Sequence, residues 1–458
     1  MPEDRHIEAA DAAEAVEALK ARKLRLSGSF LRLWLAQVVS SLGDWIGLVA
    51  ILALAARIGG SSPEASIGVV MSARMIPGFF FGSVGGVLVD RFDRKRVMVT
   101  CDIGRGVVLA TLPLINSILG LFMVSLILEI LSLLWTPAKE ATVPNLVEPE
   151  QLTTANSLGL AAAYGTFPLA SAISALLFGV AEWISRGHGA LHWLRVDREA
   201  IAIYADVLTF FASATLISTL AIPNSHERHS EEGINLGKAF TDLKEGWRFI
   251  GSTPVVRAVL VGLGTGLIGG GMVVPLGPTM ASKVLHGGPA AFSLLLTGLG
   301  TGVAIGVIGL SAVQKRLPRE RIFPWAVLGA GVALIAGASM TSLTLAIFFV
   351  LVMGVFSGAV YVVGFTLLQE NVEDQLRGRI FATLYTLVRL CLIISLALAP
   401  LLASLLGNLS PGVVHLGGFS LHLQGSRLTL WLGGSIIVVA GLLARGALRN
   451  GERTRAVT

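Results

Sequence analysis

The stretch Gly85–Met98, GGVLVDRFDRKRVM, decides the fold of this chain. A long apolar run precedes it and another follows it. Between them a very short connection carries Asp90, Arg91, Asp93, Arg94, Lys95 and Arg96. Each flanking run reaches the roughly 20 residues that a helix needs to cross a bilayer, so the chain reverses at a membrane surface. A turn this basic is expected on the cytoplasmic side, because Lys and Arg accumulate there. Gly85 and Gly86 allow the end of the first run to approach a neighbouring helix closely. Asp90 is placed to cap the helix that follows or to pair with the cations beside it.

The rest of the chain has the same character. Of its 458 residues, 53% are hydrophobic and only 14% are charged, whereas a soluble domain carries roughly a quarter charged residues. The composition is that of a membrane protein. The net charge of +6 then belongs to cytoplasmic loops and does not point to nucleic acid. Cys101 and Cys391 lie in apolar runs of opposite halves and show neither metal spacing nor a disulfide framework. Residues 1–27 are polar and lack the apolar core of a secretory signal.

Apolar runs recur to the end. They predict spans near 30–56, 66–89, 96–118, 120–138, 153–182 and 200–222, then near 256–281, 290–313, 323–340, 342–368, 380–406 and 428–448. The expectation is an all-α membrane protein of twelve transmembrane helices. Its parts are a tail at 1–29, a six-helix bundle at 30–222, a linker at 223–254, a second six-helix bundle at 255–449 and a tail at 450–458. In the linker, Leu236–Ile250 (LGKAFTDLKEGWRFI) is amphipathic and is expected to lie along the membrane surface. With both termini on one side, the tails and even-numbered connections hold 24 Lys and Arg. The other side holds six: Arg57, Arg186, Arg195, Arg198, Lys283 and Arg427. This asymmetry predicts that both termini are cytoplasmic.

The run Gly86–Lys95 (GVLVDRFDRK) is similar to the signature G-x-L-a-D-r-x-G-r-K between helices 2 and 3 of the major facilitator superfamily. Nine of its ten positions fit, and Asp93 stands where the family usually has Gly. Residues 137–157 (PAKEATVPNLVEPEQLTTANS), residues 369–381 (QENVEDQLRGRIF) and the tract Gly43-Asp44-Trp45 resemble one branch of that superfamily. The branch includes bacterial macrolide efflux proteins and enterobactin exporters. These motifs span nearly the whole chain. The resemblance implies two six-helix halves related by a pseudo-twofold axis along the membrane normal, with substrate held between them. It implies a location in the bacterial cytoplasmic membrane. It also implies a cytoplasmic gate built from Gly86, Asp90, Arg91, Arg94 and Lys95, with Asp102 placed to receive Arg91 or Arg94. The drug/proton antiporter segment Gly-Pro-x-x-Gly-Gly of span 5 is degraded here: Gly165-Thr166-Phe167-Pro168 is followed by Ser171 and Ala172. That departure weakens proton antiport without removing it.

An ionisable side chain at mid-bilayer costs about 2.5–3.5 kcal/mol on insertion scales, so it pairs or faces a water-filled cavity. Asp44 lies near the centre of span 1, and Arg74 lies within reach of it in span 2. An Asp44–Arg74 pair is expected, either as a coupling element released by protonation or as a static tie between the two spans. Glu129 sits among apolar residues in span 4, where burial disfavours the charged form. It is read as a proton carrier or as a neutral, hydrogen-bonded carboxyl. Asp206 lies closer to the outer end of span 6, where water reaches it, and a solvated role is preferred over coupling. Arg389 stands well inside span 11 with no acid near it in sequence. It suits an anionic substrate, a carboxylate across the cavity, or backbone carbonyls.

Other patterns carry less. Gly264-x-Gly266-x-x-Gly269 has no strand before it, so helix packing explains it better than dinucleotide binding. Gly298-Leu299-Gly300-Thr301-Gly302 reads the same way. His188 and His192 have no third ligand nearby and are not read as a zinc site. No catalytic set and no Walker loop is recognisable, so neither an enzyme nor an ATP-driven pump is expected, and no cofactor. The expected function is secondary active export of a small amphipathic compound (drug-, macrolide- or siderophore-like) by alternating access, against protons. The protein is expected to act as a monomer among membrane lipids, without nucleic acid. Two alternatives stay open: a flippase for lysophospholipid or lipid-like molecules, and a non-transporting sensor on the same scaffold.

Overall fold

The computed structural model describes residues 27–89, 92–148, 151–185, 199–221, 253–313, 318–372, 374–410, 413–416 and 419–455. Asp90 and Arg91 of the basic turn, the tail before residue 27, the loop with His188 and His192, and the linker with its expected surface helix lie outside the described residues.

Among the described residues the chain runs through twelve helical spans. The first six are α1 (Gly28–Ile58), α2 (Pro63–Val89), α3 (Arg94–Ala110), α4 (Ile118–Thr142), α5 (Leu152–Tyr164 and Phe167–Ser185) and α6 (Ala200–Ser218). The second six are α7 (Pro254–Gly271 and Val273–Thr279, closed by a π turn), α8 (Gly288–Val313), α9 (Arg319–Ser339), α10 (Leu343–Asn371), α11 (Asp374–Leu409) and α12 (Gly425–Arg455). Among the described residues, eleven of these spans are long and apolar enough to cross a membrane, α3 together with the 3-10 turn to Leu114. In α2, 27 residues long, Arg74 is the one charge after Glu64. The boundaries lie within a few residues of expectation, with the largest differences in α3, which stops at Ala110 rather than near 118, α11, which starts at Asp374 rather than near 380, and α12, which continues to Arg455; α1 starts just inside the expected tail. One hairpin joins α11 to α12, β1 (Val413–Leu416) against β2 (Phe419–His422), with Val413 opposite His422. Its sequence VVHL-GG-FSLH has the pattern of two short strands around a glycine turn.

Local signals explain the helix ends. Ser27 Oγ accepts from Phe30 N at 3.1 Å, and Ser117 Oγ from Gly120 N at 3.1 Å. Asp93 Oδ1 accepts from Arg96 N at 2.8 Å. The residue that departs from the superfamily signature therefore serves as the N-cap of α3. The break in α5 falls just before Phe167-Pro168, where proline cannot donate to the preceding turn. Spans 1–6 pack on one another, as do spans 7–12. The glycine tract of α8 touches backbone: a Cβ at Gly302 would collide with the Leu351 carbonyl of α10.

The two sets meet along α2–α11 and α5–α8, and the Val273–Thr279 piece of α7 touches α1 and α2. The end that carries Arg94–Arg96 is called the basic end below. At the other end, a Cβ at Gly68 of α2 would lie 2.6 Å from the Leu396 carbonyl oxygen of α11.

Candidate functional site

The centre of the first half is Arg105. It stands three residues after Asp102 on α3, which puts both side chains on one helix face. Its guanidinium is almost fully buried, ion-paired with Asp102, and its Nη1 lies 3.6 Å from Asp44 Oδ2 of α1. Asp102 also accepts a hydrogen bond from Ser213 Oγ of α6 at 2.7 Å. The Arg105 guanidinium carbon lies 4.4 Å from the Phe210 ring centre on α6 and 5.3 Å from that of Trp135 on α4. One cation thus joins four helices. The charge sequence Asp102-x-x-Arg105 was the available signal for it.

The expected Asp44–Arg74 pair is not what forms. Arg105 takes the ion-pair position, and Arg74 acts on Asp44 from farther away. Arg74 lines the same small cavity as Asp44, and its helix α2 packs along α4, which carries Glu129. Asp102 differs from expectation as well. It is wholly buried and engaged by Arg105 and Ser213 rather than by Arg94, and Arg91 lies outside the described residues. Arg94 Nη1 instead donates to the Ala141 carbonyl of α4 at 2.8 Å, and Lys95 Nζ to that of Leu220 at 2.7 Å. Both bonds tie the basic end of the first half to itself. Gly86 lies in α2.

Asp206 is also not solvated. It is only 2% exposed, because α1 packs along α6 and covers it with Gly43 and Gly47. A Cβ at either glycine would collide with the Asp206 carboxyl. Thr209 Oγ1 donates to the Asp206 backbone carbonyl at 2.7 Å and lies 3.2 Å from Asp206 Oδ1. Trp45 completes the tract: its Nε1 donates to the Ala163 carbonyl at 2.9 Å, and its ring meets Phe167 edge-on at 4.7 Å. Gly43, Asp44 and Trp45 therefore address α6, α3 and α5 in turn. A small cavity inside the first half is lined by Asp44, Gly47, Arg74, Arg105, Ser132 and Asp206, among others.

Arg389 reaches across the two halves. Its Nη1 donates to the Gly78 carbonyl of α2 at 2.5 Å. A Cβ at Gly78 would stand 3.7 Å from Arg389 Cζ and 3.8 Å from Glu129 Oε1. Glu129 of α4 and Arg389 of α11 thus flank one point of α2 from opposite halves.

The Transmembrane secretion effector family model matches residues 24–392. The MFS-type transporter YfiS of Bacillus subtilis (strain 168) is 24% identical over 384 residues, 81% of this chain and 86% of that protein. Macrolide efflux protein A of Streptococcus pyogenes is 26% identical over 389 residues, 82% of this chain and 90% of that protein. A bacterial homolog of the human lysosomal transporter Spinster, crystallised inward-facing and unoccupied, superposes with a TM-score of 0.69. It is 16% identical, covers 92% of this chain and 97% of its own, and shares the fold. Family and fold are those of multi-pass transporters of small molecules rather than of enzymes. The chain belongs to the transmembrane secretion effector family, within the major facilitator superfamily.

Proposed function

We propose that the protein exports a small amphipathic compound across the bacterial cytoplasmic membrane by alternating access, in exchange for protons. Both termini are then cytoplasmic, and the basic end faces the cell interior. The observation that carries the reading is the polar seam at mid-membrane, where Arg389 of the second half bonds the Gly78 carbonyl beside Glu129 of the first. A compound entering between the halves meets a guanidinium from one wall and a carboxyl from the other, amid apolar side chains. It displaces the Arg389–Gly78 bond, which links binding to the separation of the halves. The close packing of Gly68 on α11 at the far end supports entry from the basic end in this state. Relatives named for macrolide efflux and multidrug efflux favour outward movement of a drug-like molecule.

The test is transport by purified protein in liposomes, with erythromycin, a catecholate siderophore and a fluorescent lysophospholipid as separate probes. Accumulation of erythromycin or siderophore driven by an imposed proton gradient supports the reading. Gradient-independent movement of the lysophospholipid alone replaces it with lipid flipping.

A further inference from the structure

We propose that Asp44 and Asp206 hold one proton between them, with Asp206 its resting place and Asp44 the group that exchanges it with the cavity. The proposal deepens the antiport reading and rests on it only for the claim that this proton moves in each transport cycle.

The argument begins with a count of charges. Away from the ends of the spans, the described residues include four carboxyls, Asp44, Asp102, Glu129 and Asp206, and three guanidiniums, Arg74, Arg105 and Arg389. Arg105 is taken by Asp102 and Asp44. Arg74 and Arg389 both act on Glu129. Among the described residues no cation stands within ion-pair distance of Asp206, whose carboxyl has the Thr209 hydroxyl 3.2 Å away. A bare carboxylate in such an interior is costly, and it takes up a proton before it stays charged. One proton makes the count balance.

The surroundings choose the carboxyl. From α1, Asp44 lines the same small cavity as Asp206, and two like charges there disfavour each other. From α3 Arg105, held by Asp102, and from α2 Arg74 line the same cavity. The Phe167–Ser185 part of α5, which also touches α6, has one titratable residue, Glu182, near its outer end. The 3-10 turn Leu112–Leu114, the remaining neighbour, has none. Gly43 and Gly47 press on the carboxyl of Asp206, which is 2% exposed, whereas the Asp44 side chain is 36% exposed. A proton arriving from the cavity therefore meets Asp44 first and is enclosed at Asp206.

A sodium ion fits less well. It needs several oxygens around it, and the two glycines pressed on Asp206 leave no room for a ring of ligands. Arg105 also stands 3.6 Å from Asp44 and repels any second cation there. The same two glycines make α1 the cover of the site. A shift of α1 along α6 opens or closes the route to Asp206.

Infrared spectroscopy of the full-length protein in lipid nanodiscs reads the site without any substrate. At neutral pH the wild type should show the carbonyl stretch of a protonated, enclosed carboxylic acid that exchanges slowly in D2O. Asp206→Asn should lose that band and Glu129→Gln should keep it. Thr209→Val, which preserves shape and removes the hydroxyl partner of the Asp206 carboxyl, should shift its frequency. Absence of the band in wild type, its survival in Asp206→Asn, its loss in Glu129→Gln, or its disappearance when potassium is replaced by sodium overturns the proposal. Should Asp206→Asn fail to fold, an unshifted band in Thr209→Val overturns it. Erythromycin-driven proton release in liposomes is measured alongside. A band that behaves as expected with no proton release in wild type leaves the site standing and sinks the antiport reading.

Discussion

Replacing Arg105 by Leu tests whether one cation holds the first half together. The substitution strands Asp102, which is 0% exposed, in the interior with only Ser213 as a donor. Breaking a buried pair by removing one partner costs about 3–5 kcal/mol, because the other charge is left uncompensated. Asp44 is partly open to the cavity, so its share is small, about 1 kcal/mol or less. Loss of the contacts with Phe210 and Trp135 adds roughly 0.5–2 kcal/mol. The sum, near 5 kcal/mol, is a large part of the ~5–15 kcal/mol that stabilises a typical domain. The assay is unfolding of purified protein in detergent, followed by tryptophan fluorescence, for a set of single and double variants. Arg105→Leu should be strongly destabilised. Adding Asp102→Asn should recover more than half of the loss, and adding Asp44→Asn should recover little. Wild-type stability of Arg105→Leu, or a double variant with Asp102→Asn no better than the single one, would refute the reasoning. The pair would then be an accessory to packing.

Gly47→Ala forces α1 and α6 apart at the Asp206 carboxyl and should cost about 1–3 kcal/mol in the same assay. Gly266→Ala, with no atom within 4 Å of the new methyl, serves as the control and should cost nothing. Arg389→Gln weakens the bond to Gly78 and should broaden the distance distribution between spin labels on α2 and α11; an unchanged distribution counts against Arg389 as a tie between the halves. Glu129→Gln should lower affinity for cationic compounds and spare neutral ones, read by ligand-induced thermal stabilisation. Cysteines at Ser230 and Ser410 should label from opposite faces of the membrane, and labelling from one face rules out the proposed topology.

The spans were legible because their signal is local. Apolar runs fix where a helix lies in a membrane, and Ser27, Asp93 and Ser117 mark where helices begin. The family was legible from short motifs for the same reason. The mid-membrane charges were legible as a set, since a charge among apolar residues is conspicuous. Their pairings were not. A helix that is apolar on nearly all sides gives no hint of which face meets which neighbour, so sequence proximity favoured Arg74 for Asp44 while the packing of α1, α3 and α6 presents Arg105. Asp206 shows the same limit. Its distance from the helix end suggested water, but exposure is decided by α1, a hundred and sixty residues earlier in the chain, where glycines at 43 and 47 let one helix lie against another.

The gate cations sharpen the point. Arg94 and Lys95 were read as a device between the halves, and here they bond carbonyls of their own half, at Ala141 and Leu220. Their bonds close the basic end of α3 against α4 and α6, the helices that also carry Trp135, Ser213 and Asp206. The surface turn and the buried cluster therefore brace the same helices at two depths. A carrier that rocks its halves needs each half to move as a body, and this double bracing supplies that rigidity in the first half. Under the proposed alternating access, the Arg389 bond to the Gly78 carbonyl is one contact that changes when the halves part.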